Sequence, residues 1–522
     1  MTINTAISQK KINDAVWEAC DAFRGTVAPE IYKDFVLTML FLKYISDVWQ
    51  HHYDAYLEEH GDEPELIEAL LANERFTLPM ADLATGDDED MARANFYSLY
   101  DRREQPGNGE RIDRVLHAIE EANVGKLKDV FQDISFNTGK LGDEATKNAV
   151  LNELLTGFAT DDLNMSPARI GNLDVIGNAY EFLIKHFAAT SGKKAGEFYT
   201  PPEVSNLMAE LVAPQPGDQI CDPACGSGSL LMKCGRQVRD KHNSKDYALF
   251  GQEAIGSTWA LAKMNMFLHG EDNHRVEWGD TLRAPKLVQG DPDTDAVSLQ
   301  TFDVVVANPP FSLDKWGQDG AGDDKYNRFK RGVPPKSKAD YAFILHMVET
   351  LKAKSGRMAV VVPHGVLFRA AAEGRIRKAL IEENLLDVVI GLPEKLFYGT
   401  GIPAAILIFR KDKTTDDVLF IDASRDFSND KTQNRLRDED LARIRETVQA
   451  RQDVDRYAHV ASLDEIREND FNLNIPRYVD TFEEEIKLDL DAIAAERLAL
   501  KDRLADLEAQ LSAQLETLKN GC

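Results

Sequence analysis

The chain reads as an α/β protein: a mainly parallel, doubly wound sheet flanked by an α-helical N-terminal domain and a C-terminal coiled-coil-type helix. Three observations predict this. From about residue 166 to 425, short runs of Val, Ile and Leu alternate with stretches of helical periodicity. Before about 165, strand-like alternation is scarce, and beyond 426 the chain turns charged and helix-like. Near-continuous apolar strands separated by helices belong to a sheet covered on both faces. At 522 residues the chain exceeds what one hydrophobic core supports, so a division into 1–165, 166–425 and 426–522 is expected.

The N-terminal part carries "VWEACDAFRGTVAPEIYKDFVLTMLFLKYISDVW", with apolar residues at helical intervals and a proline near a helix start. Its most apolar run, "FVLTMLFLKYI", is too short to span a bilayer and contains Lys43. The opening "MTINTAISQKKINDAV" lacks the basic-then-apolar pattern of a secretion signal, so a cytoplasmic protein with no membrane association is expected. In the central part "DQICD", "ALFGQE", "RVEWGD", "FDVVVANPP", "GRMAVVVP", "LLDVVIGL" and "AAILIFR" read as strands, with "GSLLMKCGRQVRDKH" and "STWALAKMNMFLHG" as helices between them. In the last part, steps of four and three from Ile486 reach Leu490, Ile493, Arg497, Leu500, Leu504, Leu507, Leu511, Gln514 and Leu518, and eight of these ten positions are apolar. That is a coiled-coil seam, over a helix expected at 483–518, and it suits another chain better than a fold back onto its own.

Charge and cysteine usage exclude some functions. With 61 Lys+Arg against 88 Asp+Glu the formal charge is −27, which argues against a protein that coats nucleic acid. Net charge does not decide what a local cleft does. "KYNRFKRGVPPKSK", residues 325–338, holds six basic residues and no acid, and reads either as a solvated loop or as a phosphate contact. The five cysteines lack the paired spacing of a zinc site, and no metal is expected.

Every unusual motif falls at the carboxyl end of an expected strand, where ligands of such sheets bind. In "DPACGSGSLL", Asp222 ends a strand and Gly226 and Gly228 permit a tight turn with close backbone approach. The third glycine of a dinucleotide turn and the lysine of a phosphate loop are both missing, so the turn suits a nucleoside without a pyrophosphate. Glu253 closes the next strand, placed for ribose hydroxyls, and Asp280 the one after, placed for an adenine amine. Each acid alone is an ordinary turn residue; the succession makes the argument. On the fourth strand "VVVANPPF" ends in two prolines that fix the backbone around Asn308. If the Asn308 side-chain oxygen and the Pro309 carbonyl accept both N–H groups of an adenine amine, the nitrogen lone pair leaves conjugation and turns to an electrophilic methyl. This is positioning with electrostatics. Phe311 is placed to stack on the base.

"EFYTPPEV", "DPACGSGSLL" and "ANPPF", in that order, resemble the motifs of S-adenosylmethionine-dependent amino methyltransferases, and most closely the modification (M) subunit of type I restriction–modification systems. "WEACDAFRGTVAPEIYKDFVLTMLFLKYISD" resembles that family's N-terminal domain, and "DVIGNAYEFLIKHFAATSGKKAGEFYTP" and "GLPEKLFYGTGIPAAILIF" its core. The resemblance implies a Rossmann-like S-adenosylmethionine-dependent methyltransferase core and an N6-adenine DNA methyltransferase that uses S-adenosyl-L-methionine. It implies cofactor contacts from Phe198, Tyr199, Thr200 and Pro201, with Asp222, Gly226, Ser227 and Gly228 around the methionine portion. Glu253 would hold the ribose and Asp280 the cofactor's adenine, while Asn308, Pro309, Pro310 and Phe311 would be catalytic. Double-stranded DNA, a specificity (S) subunit, a second M subunit and a restriction (R) subunit are the implied partners. The loop "EKLFYGTGIP" would help enclose the site.

Three competing readings remain at this point. A methyltransferase of ribosomal RNA or of a glutamine side chain would use a closely similar NPP-plus-aromatic motif, but leaves the helical domain and the heptads unexplained. A silent assembly scaffold has no need of Asn308, Phe311 or the glycines. A nicotinamide-dependent dehydrogenase accounts for the glycine turn and leaves NPPF idle. His364, in "VVPHGVLF", reads as a structural strand-end histidine in preference to a catalytic one, and Asp340 and Tyr341 as candidate supports of the pocket.

Overall fold

A computed structural model describes residues 8–25, 27–61, 63–170, 174–190, 200–290, 297–397, 400–429, 433–481 and 490–519. Two compact units divide at Val479/Asp480. The first holds a nine-stranded sheet, whose strands we number β1 (Gln219–Asp222), β2 (Ala248–Glu253), β3 (His274–Trp278), β4 (Val304–Ala307), β5 (Arg357–Pro363), β6 (Leu386–Gly391), β7 (Ala404–Arg410), β8 (Val418–Asp422) and β9 (Ala458–Ala461). Their order across the sheet is β9-β8-β6-β7-β5-β4-β1-β2-β3.

The chain builds outward from β1 through β2 to β3, all parallel, then returns to lay β4 along the other side of β1. The order therefore reverses between β1 and β4, and the loops leaving these strands part at their carboxyl ends. That crevice is where open α/β sheets bind ligands. β7 runs antiparallel between β5 and β6, and β9 closes the sheet antiparallel to β8. The stretch beyond 426, expected to be helical, thus also supplies an edge strand, alongside helices such as Asp438–Ala450.

Two hydrophobic clusters explain the near-continuous apolar strands. In β4, Val304 and Val306 join the cluster on one face, and Val305 and Ala307 the cluster on the other. Side chains alternate faces along a strand, so burial on both sides needs apolar residues throughout.

The N-terminal helices pack onto the first of these clusters. The Pro29–His60 helix has proline at its start and is buried on all sides from Phe35 to Trp49. "FVLTMLFLKYI" is therefore a core helix, and no described helix is long and apolar enough to cross a membrane. Contacts to the sheet run through the Gly256–Leu268 helix. Phe41 meets Phe267 edge-on at 5.3 Å between centroids, and Arg75 lies 4.2 Å over the same ring. Arg75 also donates to the Asp272 carboxylate at 2.8 Å and to the Phe267 carbonyl at 2.7 Å.

The second unit contains the Leu490–Lys519 helix. Residues 482–489, which include Ile486 of the heptad series, lie outside the described residues.

Candidate active site

β1 ends at Asp222, and the turn that follows is shaped by two glycines with positive φ, Gly226 at 53° and Gly228 at 77°. A Cβ on Gly228 would lie 2.8 Å from Met266 Cε, so the turn presses on the neighbouring helix there. The Gly226 amide donates to Glu253 Oε2 at 3.0 Å, and the Cys225 amide to the Gln252 carbonyl at 3.1 Å. Buried Asn265 reaches from the Gly256–Leu268 helix to donate to the Ser227 carbonyl at 2.9 Å. The ends of β1 and β2 are thus locked together.

Asp222 and Glu253 are both buried, and among the described residues neither has a basic partner. Burial is the main cause that pushes the Asp222 carboxyl up to about 8, opposed by the Ala224 amide and assisted by the Glu253 charge. Burial also raises Glu253, against amides of Ile255, Gly226 and Ala254. Two carboxylates held out of water with no cation make a site that favours a positively charged ligand.

β4 delivers Asn308 beside them. Asn308 Nδ2 donates to Thr200 Oγ1 at 3.0 Å, while Asn308 Oδ1 is buried and has no hydrogen-bond partner. The Pro309 carbonyl accepts no hydrogen bond among the described residues. One cleft is lined by Thr200, Asp222, Gly226, Ser227 and Asn308, together with Ser229 and Leu230. Pro201 sits buried behind Thr200, where its carbonyl accepts from the Ser205 amide at 3.0 Å. Phe311 lies half-buried, 5.7 Å from Phe397 in an edge-to-face pair that brings the residues just after Glu394 to the NPPF turn. Asp280 is not among the residues that line this cleft: its Oδ1 accepts from the Leu282 and Arg283 amides, and its Oδ2 lies 3.4 Å from Arg283. Phe198 and Tyr199 lie outside the described residues.

The NPPF turn is clamped from behind. Ser312 adopts φ 52°, an unfavourable conformation for a residue with a Cβ. Its amide donates to buried Asp340 Oδ1 at 2.8 Å, and Arg369 grips Asp340 at 2.7 Å and Glu373 at 3.0 Å. His364 bonds the Ala404 carbonyl at 3.1 Å, a contact that ties β5 to β7.

These features coincide with a known family. The N-6 DNA Methylase family model matches residues 171–487, and the HsdM N-terminal domain model matches 12–158. The chain belongs to the N-6 DNA methylase family. The methylase is 30% identical to the type I restriction enzyme MpnII methylase subunit of Mycoplasma pneumoniae, over 97% of this chain and 96% of that one. It is 32% identical to the MjaVII methylase subunit of Methanocaldococcus jannaschii, over 87% and 76%. The crystal structure of a type I restriction–modification methyltransferase subunit from Streptococcus thermophilus superposes with a TM-score of 0.77 at 36% identity, covering 91% of this chain and all of that one. The methylase is thus a type I modification subunit, an adenine-specific DNA methyltransferase that uses S-adenosylmethionine. The residues present fit that cofactor. Its ammonium and sulfonium charges suit the uncompensated Asp222 and Glu253, and the glycine turn leaves backbone room beside them.

Asp340, read from the sequence as a support of the pocket, holds the Ser312 amide. Asn265 and Arg369 escape a reading of the sequence, because they act through contacts with residues 38 and 57 positions away. Asn265 had no signal at all, being a polar residue within an apolar helix pattern. For Phe397 the signal was an aromatic residue inside the loop already singled out.

Proposed function

We propose that the methylase transfers a methyl group to the exocyclic N6 amine of an adenine flipped out of duplex DNA, with Asn308 and Pro309 as the two acceptors of the amine protons. The observation that carries this is the Asn308 side-chain oxygen, buried without a partner at the carboxyl end of β4. An orphaned buried acceptor costs about 1–3 kcal/mol, which a substrate donor recovers. The cofactor, when bound, supplies a methyl carried on sulfur.

The roles of the surrounding residues follow. The Asn308 amide nitrogen donates to Thr200, which leaves the amide oxygen for the base. Two accepted hydrogen bonds pull the amine toward a tetrahedral geometry and free its lone pair for a new N–C bond to the methyl, with the C–S bonding pair staying on sulfur. One amine proton is then lost to solvent. Phe311 and Phe397 hold the flipped ring; stacking of roughly 1–3 kcal/mol per base offsets the few kcal/mol of unstacking. Asp222 would hold the cofactor's ammonium, Glu253 its ribose, and Ile255, 43% exposed just beyond β2, its adenine face. Asp280 would accept from the adenine amine. Phe198 and Tyr199 complete the cofactor's approach.

Sequence specificity comes from a separate S subunit, and a second M subunit and an R subunit complete the assembly. The helical N-terminal region and the terminal Leu490–Lys519 helix serve that assembly. Modification of chromosomal DNA in the cytoplasm protects it from the cognate restriction activity.

The test is transfer of labelled methyl from S-adenosylmethionine to DNA by the chain with its specificity subunit. Asn308→Ala should lower the rate by about 10²–10³, the usual consequence of losing one preorganised polar contact to a transition state. Cofactor affinity should change little. Label appearing in RNA or protein while DNA stays unlabelled would overturn the substrate assignment.

A further inference from the structure

An open groove of about 930 Å³ lies next to the cleft on the carboxyl side of the sheet, between the loop after β3 and the long loop after β4. Arg283, Lys286, Lys315, Lys325 and Lys336 line it. In a chain of net charge −27 such a collection needs a reason. Of the groove's three acids, Asp324 is engaged with buried Arg328 at 2.7 Å, Asp319 holds Lys336 at 3.1 Å, and Asp323 makes no ion pair among the described residues, while Arg283 lies 3.4 Å from Asp280. Lys286, Lys315 and Lys325 have no carboxylate partner among the described residues.

The walls are built to hold these cations in place. Arg328 donates to the carbonyls of Thr281 at 3.0 Å and Leu282 at 2.8 Å, which binds the two loops together. Trp316 Nε1 donates to the Pro335 carbonyl at 2.9 Å, and the Lys315 amide to that of Lys336 at 3.0 Å. Thr281 Oγ1 donates to the Pro223 carbonyl at 2.6 Å, so the groove shares its floor with the glycine turn. The basic 325–338 run divides its charges. Lys330 and Arg331 turn away to Glu349 and Glu383, while Lys325 and Lys336 face the groove.

We propose that this groove holds the phosphodiester backbone of the DNA that flanks the target adenine. The proposal rests on the reading of the adjacent cleft as the adenine site. The cations come from three separate segments and do not converge on one enclosed point, which suits a line of phosphates better than a single anion. Most are lysines, which act as point charges, and contacts of this kind fix the register of a duplex without reading its sequence. That is what a methylase lacking its own sequence reader requires.

The full chain and its Lys286→Ala/Lys315→Ala/Lys325→Ala variant would be titrated with a short random-sequence DNA duplex between roughly 50 and 200 mM salt. Each phosphate contact contributes about 0.9 to the slope of log K against log salt, so the slope should fall by roughly 2–3 in the variant. The corresponding Lys→Arg variant should keep the parental slope. So should Lys241→Ala/Lys245→Ala, on the amino side of the sheet, where the Ser229–His242 helix returns to the start of β2. An unchanged slope in the triple alanine variant, or no salt-dependent binding by the parent chain, would overturn the proposal. Loss of a protein partner with DNA binding intact would overturn it too, and make the groove a subunit interface. Methyl transfer separates the two readings: a parent assembly that leaves DNA adenine unlabelled fails at the cleft, whereas a groove failure leaves labelling normal.

Discussion

An ionised Asp222 carries an electrostatic cost in the folded chain that a proton or a bound cation relieves. With its carboxyl pushed up to about 8, it is mostly protonated at neutral pH before ligand binds. A folded-state value above the unfolded one means that the folded protein holds the extra proton between roughly pH 4 and 8, so this group favours the fold less as pH rises through that window. Cofactor binding has the opposite sign, because the ammonium needs the carboxylate. Affinity for S-adenosylmethionine should therefore weaken as pH falls below about 8, by up to tenfold per unit, in calorimetric titrations. Asp222→Asn should bind more weakly throughout and lose that dependence. A parent profile that is flat between pH 6 and 8 would show that Asp222 does not face the charge. Gly228→Ala is a second residue-scale test. It asks an alanine to adopt φ 77° with its Cβ 2.8 Å from Met266, and left-handed geometry alone costs about 1–2 kcal/mol. Chemical denaturation should show a loss of at least that size, with weaker cofactor binding.

Among the elements, the Pro29–His60 helix is the most demanding, because burial on all sides from Phe35 to Trp49 leaves the polar groups there no water. Lys43 and Asp47 form an i,i+4 ion pair inside it. Lys43 also donates to the Leu163 carbonyl at 2.9 Å, and Asp47 accepts from the Met165 amide at 2.7 Å and Tyr97 at 2.5 Å. Burial lowers the Lys43 ammonium, with Asp47 acting against that shift. Asp47→Ala would strand the ammonium and orphan two donors, at a cost of about 3–5 kcal/mol in urea unfolding. A loss below 1 kcal/mol would mean that water reaches the pair. The same helix shows what a sequence can reveal. Its periodicity and its starting proline were legible, as were the strands and the motifs at their ends, because both depend on local pattern. The direction of β7 was not legible: "AAILIFR" is apolar throughout and reads alike in either direction. β9 escaped because four residues in a charged stretch carry too little pattern. At the site, Asn308 and its prolines declared themselves, whereas the Asp340–Arg369 clamp exists only once β5 and the Asp340–Glu349 helix are packed side by side.

At the scale of the whole molecule, the terminal helix has its apolar seam in water. Ile493, Leu500, Leu504, Leu507 and Leu511, all on the heptad series, are 46 to 59% exposed. A helix gains most of its stability from burying such a face, and a seam of period 3.5 is matched by another helix of the same period. This unit is compact in its own right, separate from Met1–Val479. Disrupting the seam should therefore leave catalysis-ready structure untouched. Leu504→Glu/Leu511→Glu in the full chain should keep the parental unfolding midpoint of the larger unit and its affinity for S-adenosylmethionine. It should lose co-purification with the specificity subunit, and with it methylation of DNA at specific sites. Retention of the partner by this variant would assign assembly to another surface and leave the seam without a role. Loss of cofactor affinity would mean that the helix supports the catalytic unit directly. The expected pattern, full cofactor affinity with no partner, arises only if the chain carries its chemistry in one unit and its attachment in the other.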